Sequence, residues 1–187
     1  MSVQRVKWTR GGWAIGALVG VMAGTLGAAP AAAEPKEMEV GGFIVQKTFT
    51  LRGSPEEVWE AMTGDVSGWW DHTFSGAPME LYIEARPGGG FYEIFDESGD
   101  GVKHAEVIAA ERSKMLRLRG PLGFSGKALD MVHTFTLEDV GGDTRLHLTV
   151  HAMGEMEESW ATAVDGVWDH FIGERLAGYL EGTLATQ

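Results

Sequence analysis

The chain has 187 residues, 44% of them apolar, with 15 Lys and Arg against 27 Asp and Glu and no cysteine. This length suits one domain, and the apolar content without a fixed repeat excludes collagen, coiled coils and general disorder. The lack of cysteine excludes disulfides, iron–sulfur clusters and thiol nucleophiles. Because the acidic excess would repel phosphate backbones, we expect no nucleic-acid partner.

The first 33 residues have the composition of a secretory signal peptide. Three basic residues within the first ten precede an apolar run over residues 11–29, and Ala31–Ala33 form a small-residue cleavage site. The run is diluted by Gly16, Gly20, Gly24 and Gly27, which argues against the alternative of a retained membrane anchor. We therefore expect a signal peptide over residues 1–33 that is cut after Ala33, a periplasmic or secreted protein and no stable membrane insertion. A linker over residues 34–41 and one ligand-binding domain over residues 42–184 would follow.

The mature chain is predicted to begin with a strand and two short helices. Apolar residues alternate over residues 43–51, which is strand periodicity. Lys47 falls on the apolar phase, so either the strand contains a bulge, which is the more common explanation, or the ammonium reaches inward. Ser54 then caps a helix whose first residue is Pro55, and a second helical turn is expected over residues 65–70.

Six further strands and one long helix complete the predicted order. Short glycine-rich turns separate the strands, so they should pair as antiparallel hairpins. Apolar residues then recur every three or four positions from Trp160 to Leu184, which predicts an amphipathic helix beginning near Ser159, with Trp168 on its buried face. The strands are expected over residues 80–86, 90–96, 102–110, 115–119, 131–138 and 144–152.

The predicted fold class is therefore α+β. A curved antiparallel sheet of about seven strands with one apolar face needs a cover, and the long C-terminal helix can supply it. A strongly curved sheet around such a helix leaves a gap between the two. If aromatic side chains line this gap without filling it, the gap is a ligand cavity.

Four segments resemble the START-like superfamily, also called SRPBCC, which has the helix-grip fold. They are SPEEVWEAMTGDVSGWW (residues 54–70), ARPGGGFYE (85–93), KMLRLRGPLG (114–123) and DGVWDHFIGERLAGYL (165–180). The nearest subgroup resembles homologues of the activator of the heat-shock chaperone ATPase, and WWDHTFSG (69–76) resembles a secreted bacterial branch. The resemblance implies an apolar pocket. It implies no single activity, because the superfamily includes lipid carriers, polyketide cyclases, hormone receptors and co-chaperones.

Strand phase assigns a face of the sheet to three of the six histidines. His147 and His151 oppose the apolar phase of their strand, so they should face solvent, and no metal site is expected there. His133 shares the phase of Phe135 and should face the cavity. An inward histidine is more often a hydrogen-bonded core residue than a general base, so His133 is only a candidate catalytic residue. No other catalytic residue, metal or cofactor is expected.

The remaining candidates surround the predicted cavity. Trp69 and Trp70 cannot both face inward from a regular helix, so one should cap the pocket while the other packs on the scaffold. The loop over residues 120–126 is apolar and glycine-rich, which is typical of a lid. His104 lies in a strand of ambiguous phase. The expected ligand-binding residues are Trp69, Trp70, His72, Phe91, His104, Leu122, Phe124, His133, Phe135, Val164 and Trp168.

Three functions fit these patterns. The leading interpretation is a secreted, non-catalytic binder whose partner is a small apolar or amphipathic molecule. The second is an enzyme resembling polyketide cyclases or aromatases, in which an inward histidine moves protons. The third is a co-chaperone-like or stress-response interaction module. The predicted signal peptide argues against the third function, because the ATP-driven chaperone is cytosolic.

Overall fold

The computed structural model describes residues 37–184. The predicted signal peptide lies outside these residues, so its cleavage, the export of the protein and the domain boundaries stay predictions. Within the described residues, no helix combines the length and the apolar character needed to cross a membrane.

Eight antiparallel strands form one sheet in the order β1-β8-β7-β6-β5-β4-β3-β2. From β2 to β8 each strand pairs with its chain neighbours, as the short turns predict, while β1 pairs with β8 at the far end of the chain. The α+β class and the antiparallel sheet are thereby confirmed. The strands are β1 (Val40–Leu51), β2 (Gly64–Asp65), β3 (Glu80–Ile83), β4 (Gly90–Ile94), β5 (Gly101–Glu111), β6 (Met115–Arg119), β7 (Leu129–Asp139) and β8 (Thr144–Glu155).

The first helix, α1 (Pro55–Met62), begins where the sequence predicts. The Ser54 hydroxyl accepts a hydrogen bond from the Glu57 N–H, and the Glu57 carboxylate accepts one from the Ser54 N–H at 2.8 Å. This reciprocal capping satisfies two backbone donors and stabilises the start of the helix. The helix buries Val58 and Trp59 in the core.

The second short helix predicted over residues 65–70 is not present as such. Gly64 and Asp65 pair with β3 as the two-residue strand β2. Only one turn follows, closed by a 2.9 Å hydrogen bond from the Trp70 N–H to the Val66 carbonyl. The prediction failed because edge pairing extends the backbone of the residues that would have begun the helix.

The C-terminal helix is continuous over residues 160–180, within the predicted span. It consists of α2 (Trp160–Trp168), a π-helical segment (Asp169–Leu176) and α3 (Ala177–Leu180). The predicted apolar stripe is largely confirmed, with Trp168 buried, whereas Tyr179 is half exposed. The sequence predicted one regular helix and did not predict the π-helical segment. A π-helical turn contains an extra residue, but most of the apolar stripe remains in place, so residue spacing does not reveal it.

Lys47 reaches inward, and the expected bulge is absent. The register between β1 and β8 is continuous from Val40 to Leu51. The Lys47 ammonium lies 2.8 Å from Asp165 Oδ2 and 2.7 Å from Asp169 Oδ2. Partial burial lowers the pKa of Lys47, but the two carboxylates outweigh it and raise this pKa above its usual value. The ammonium therefore joins the edge strand to the C-terminal helix.

Candidate functional site

A cavity of about 400 Å³ lies between the sheet and the C-terminal helix. Its volume falls within the usual range for small-molecule sites, and its lining is mostly apolar. The cavity opens beside two exposed residues, His72 and Phe74, and we call this end the mouth. Of the predicted site residues, those that line it are Trp70, His72, His104, Leu122, Phe124, His133, Val164 and Trp168.

The adjacent tryptophans lie in different surroundings. Trp70 lines the cavity and stacks on Phe171 of the helix, with ring centroids 3.9 Å apart and planes 11° apart. Its indole N–H donates to the His72 carbonyl at 2.7 Å. Trp69 packs on the scaffold, where its indole N–H donates to the Ala61 carbonyl of α1 at 2.8 Å. Trp69 is therefore not a lining residue.

Phe91 and Phe135 also lie behind the lining instead of within it. Both are buried, and Phe91 packs edge-on against Trp70 with the ring centroids 4.9 Å apart. Phe135 packs edge-on against Trp168 at 5.4 Å. Strand phase identified their inward direction, but the larger tryptophan rings stand between them and the cavity.

The predicted lid forms one end of the cavity. Residues 122–124 make one turn of 3₁₀ helix, and Phe124 packs on Trp160 with ring centroids 4.8 Å apart. Gly120 precedes this turn, and a side chain there would lie 2.5 Å from the His104 carbonyl. Leu122 has a φ of +48°, a left-handed conformation that costs energy in a residue other than glycine.

A β-bulge explains the ambiguous phase of His104. Phe91 pairs with Ala105 while Tyr92 pairs with Lys103, so His104 is the extra residue. The bulge allows His104 and Ala105 both to be buried, although neighbours on a regular strand face opposite ways. His104 therefore lines the cavity.

Glu93, which the sequence analysis did not single out, holds His104 and the mouth in place. Its side chain has 0% exposure, and Oε2 lies 2.9 Å from His104 Nε2. The carboxylate also accepts hydrogen bonds from the N–H groups of Phe74 and Ser75, each at 2.8 Å, and from the Ser75 hydroxyl at 2.7 Å. Burial raises the pKa of Glu93, but these hydrogen bonds hold it below its usual value. Glu93 lies two residues after Phe91 on the same strand, so both side chains face the same side of the sheet. This spacing was the sequence signal for an inward carboxylate.

His133 is fully buried in the sheet beside the cavity. Its Nε2 donates to the Gly120 carbonyl at 3.3 Å, and Nδ1 has no hydrogen-bond partner within residues 37–184. Burial lowers the pKa of His133 to about 4. The imidazole is therefore neutral at pH 7, and its unpaired nitrogen is a weak base.

A second group of polar side chains lies at the mouth. Asp71 Oδ1 is 2.8 Å from His72 Nδ1 and 2.9 Å from His170 Nε2. Burial raises the pKa of Asp71, but its histidine neighbours and Arg175 outweigh burial and lower it. The hydrogen bond to Asp71 raises the pKa of His170. His170 was not among the predicted site residues, because its partner Asp71 is 99 residues away in the chain.

The comparison with protein families now identifies the chain. Residues 52–181 match the family model described as Activator of Hsp90 ATPase homolog 1-like protein. The chain belongs to this family. The START-like resemblance is thereby confirmed for this Hsp90-activator-like domain, while the secreted branch stays a prediction.

Solved structures share the fold of this Hsp90-activator-like domain. A Mesorhizobium loti protein is 23% identical with a TM-score of 0.54, over 76% of this chain and 100% of that chain. The Aha1 dimer from Colwellia psychrerythraea is 18% identical with a TM-score of 0.53, over 76% and 99%. CalU16 from Micromonospora echinospora is 19% identical with a TM-score of 0.51, over 80% and 86%. No match was found among the curated proteins.

The low pKa of His133 predicts a specific pH dependence of stability. The unfolded chain binds a proton near pH 6.5, whereas the folded chain binds it only near pH 4. The unfolded state therefore holds more protons between these values, and the free energy of unfolding falls as the pH falls. Between pH 7.5 and pH 5 we expect His133 to contribute a loss of about 2 kcal/mol.

Urea unfolding of wild type and His133→Gln at both pH values measures this contribution. The variant should lose less stability than wild type on acidification, by about 2 kcal/mol. His151→Gln, which changes an exposed histidine, should retain the wild-type dependence. Equal losses in wild type and His133→Gln would contradict the prediction.

Proposed function

We propose that this domain binds one small amphipathic molecule in the cavity and catalyses no reaction on it. The observation that carries the proposal is the open volume of about 400 Å³ between the sheet and the helix. Trp70, Trp168 and Phe171 line this volume without closing it. Protein interiors are normally packed without such gaps, so an apolar cavity of this size supports a ligand-binding function.

Charge and polar content restrict the class of ligand. The chain carries a formal net charge of −12, which disfavours anionic and phosphorylated molecules. Besides the indole N–H groups of Trp70 and Trp168, the polar side chains along the cavity are those of His72, Thr73, His104 and His133. We therefore propose a neutral or cationic ligand that is mostly apolar and carries a small polar group.

One observation favours a second candidate, an enzyme. His104 lines the cavity and is oriented by a buried carboxylate, which is an arrangement that acid–base catalysts use. The carrier function is better supported, because the same Glu93 carboxylate also binds the loop that forms the mouth. Turnover of a bound compound that His104→Gln abolishes, while the compound still binds, would establish the enzyme instead.

The family description concerns activation of the Hsp90 ATPase. An interaction of that kind takes place on a protein surface and needs no internal cavity. We therefore place the co-chaperone alternative below ligand binding for this chain.

We also propose that the domain acts outside the cytoplasm, after cleavage between Ala33 and Glu34. The support is the basic start, the apolar run and the small-residue site in the sequence. N-terminal sequencing of the exported protein should give a chain that begins at Glu34. A chain beginning at Met1 or Ser2 in the membrane fraction would contradict this proposal.

Binding of the neutral hydrophobic fluorophore Nile red tests the ligand-binding function. We expect one dye molecule per chain, with an increase in dye emission and quenching of tryptophan emission, because Trp70 and Trp168 line the cavity. Ala163 also lines the cavity, so Ala163→Phe should reduce its volume and weaken dye binding at least tenfold, which is about 1.4 kcal/mol.

The matched control is Thr162→Phe, which adds the same ring at the adjacent position, exposed like Ala163 but outside the lining. This variant should bind Nile red as wild type does. Absence of saturable dye binding to wild type, or equal weakening by the two substitutions, would overturn the proposal.

A further inference from the structure

The cavity mouth brings together three groups of the kind that bind metal ions. Asp71 and His72 lie in the loop after Trp70, and His170 lies in the π-helical segment. One oxygen or nitrogen atom from each of the three lies within 4.8 Å of the other two. No metal site was predicted from the sequence, since strand phase and short spacing do not detect residues this far apart in the chain.

We propose that Asp71, His72 and His170 bind one divalent first-row transition-metal ion. Two imidazole nitrogens and one carboxylate oxygen form a ligand set that zinc and non-haem iron sites use. Alkaline-earth ions prefer oxygen ligands alone, so the two histidines favour a transition metal over Mg²⁺ or Ca²⁺. The metal proposal does not depend on the apolar binding function, although the two sites share His72.

The distances from Asp71 Oδ1 to the two histidine nitrogens are close to those of a bound site. Asp71 Oδ1 is 2.8 Å from His72 Nδ1 and 2.9 Å from His170 Nε2. In a tetrahedral site with bonds of 2.0–2.2 Å, neighbouring ligand atoms lie about 3.3 Å apart. Small rotations of the three side chains would therefore place an ion between the three ligand atoms, in exchange for the two hydrogen bonds.

Supporting side chains hold the ligands as they do in metal proteins. His170 Nδ1 lies 3.1 Å from Glu174 Oε2, so its ring is oriented by a carboxylate on the side away from Asp71. Metal-binding histidines usually donate their other N–H to such a group. Arg175 Nε lies 3.3 Å from Asp71 Oδ2 and also donates to the Trp69 carbonyl at 3.0 Å. The guanidinium thus holds Oδ2 and leaves Oδ1 for the ion.

The π-helical segment explains how these residues share one face. Residues four and five positions apart lie on the same side of a π-helix, whose turn contains an extra residue. His170, Glu174 and Arg175 have this spacing, and both His170 and Arg175 reach Asp71. In a regular α-helix, a residue five positions after His170 would point away from it. π-Helical turns are frequent at functional sites for this reason.

Three protein ligands leave at least one coordination position for water or an exogenous ligand. His72 lines the cavity, so the ion would lie where the cavity meets solvent. A polar group on a molecule in the cavity would then have direct access to the metal.

Calorimetric titration of chelator-treated protein with Zn²⁺ tests the site. We expect one Zn²⁺ per chain, with affinity reduced at least a hundredfold in His170→Gln, because a ligand is lost. Glu174→Gln should weaken binding about tenfold, the effect of losing an orienting partner. His147→Gln, which changes an exposed histidine on the outer face, should bind Zn²⁺ as wild type does.

Substitution with Co²⁺ provides a second readout that a purely structural role would not affect. A nitrogen-ligated Co²⁺ site of low coordination number should give visible absorption that is lost in His72→Gln. The His72 side chain is 62% exposed, so this substitution leaves the core intact, and near-UV circular dichroism checks the fold. Absence of stoichiometric Zn²⁺ binding, or equal affinity in wild type and both ligand variants, would overturn the proposal.

Discussion

The stacking of Trp70 on Phe171 is the contact on which the architecture of the site depends. It joins the loop after the short strand β2 to the C-terminal helix, and the same indole packs edge-on against Phe91 and Trp168. Aromatic pairs contribute about 0.5–1.5 kcal/mol each beyond the burial of their surface. Because the Trp70 ring lies between Phe91 of the sheet and Phe171 of the helix, these rigid rings separate the helix from the sheet at this end of the cavity.

Each polar group around this gap is paired by hydrogen bonds, neutral or close to solvent. Glu93 is fully buried, yet its carboxylate has four hydrogen-bonded partners, as a buried charge requires. His133 is buried with one nitrogen unpaired and is therefore neutral. The charged pairs, Lys47 with Asp165 and the Asp71 group, lie at the edges of the helix where solvent reduces the cost of burial. The cavity thus remains apolar inside and polar at its mouth.

The sequence predicted the parts of this structure that depend on local spacing. Strand alternation placed His133 inward and His147 outward, and helical periodicity placed Trp168 on the buried face. The family resemblance supplied the helix-grip fold, whereas the pairing of β1 with β8 across the length of the chain was not predicted. The capping residues of α1 also predicted its start correctly, since capping depends on neighbours only three residues apart.

The features that the sequence did not predict depend on register or on long-range contact. The bulge at His104 inverts the phase of its strand, and nothing in the residue types marks it. Lys47 is inward because two aspartates of a distant helix offset its charge. The meeting of Asp71 with His170 depends on where the C-terminal helix crosses the sheet, and on its π-helical turn.

The central claim is that an unfilled volume lies between the sheet and the helix. Val164 is buried and lines this volume, whereas Val150 is buried in the packed sheet outside it. The free energies of unfolding of Val164→Phe and Val150→Phe, measured in urea without added ligand, therefore test the claim directly. The account predicts a loss below about 1 kcal/mol for Val164→Phe and about 1–3 kcal/mol for Val150→Phe, since only the second ring has no space. Equal losses would contradict it, because they would show that side chains already fill the gap.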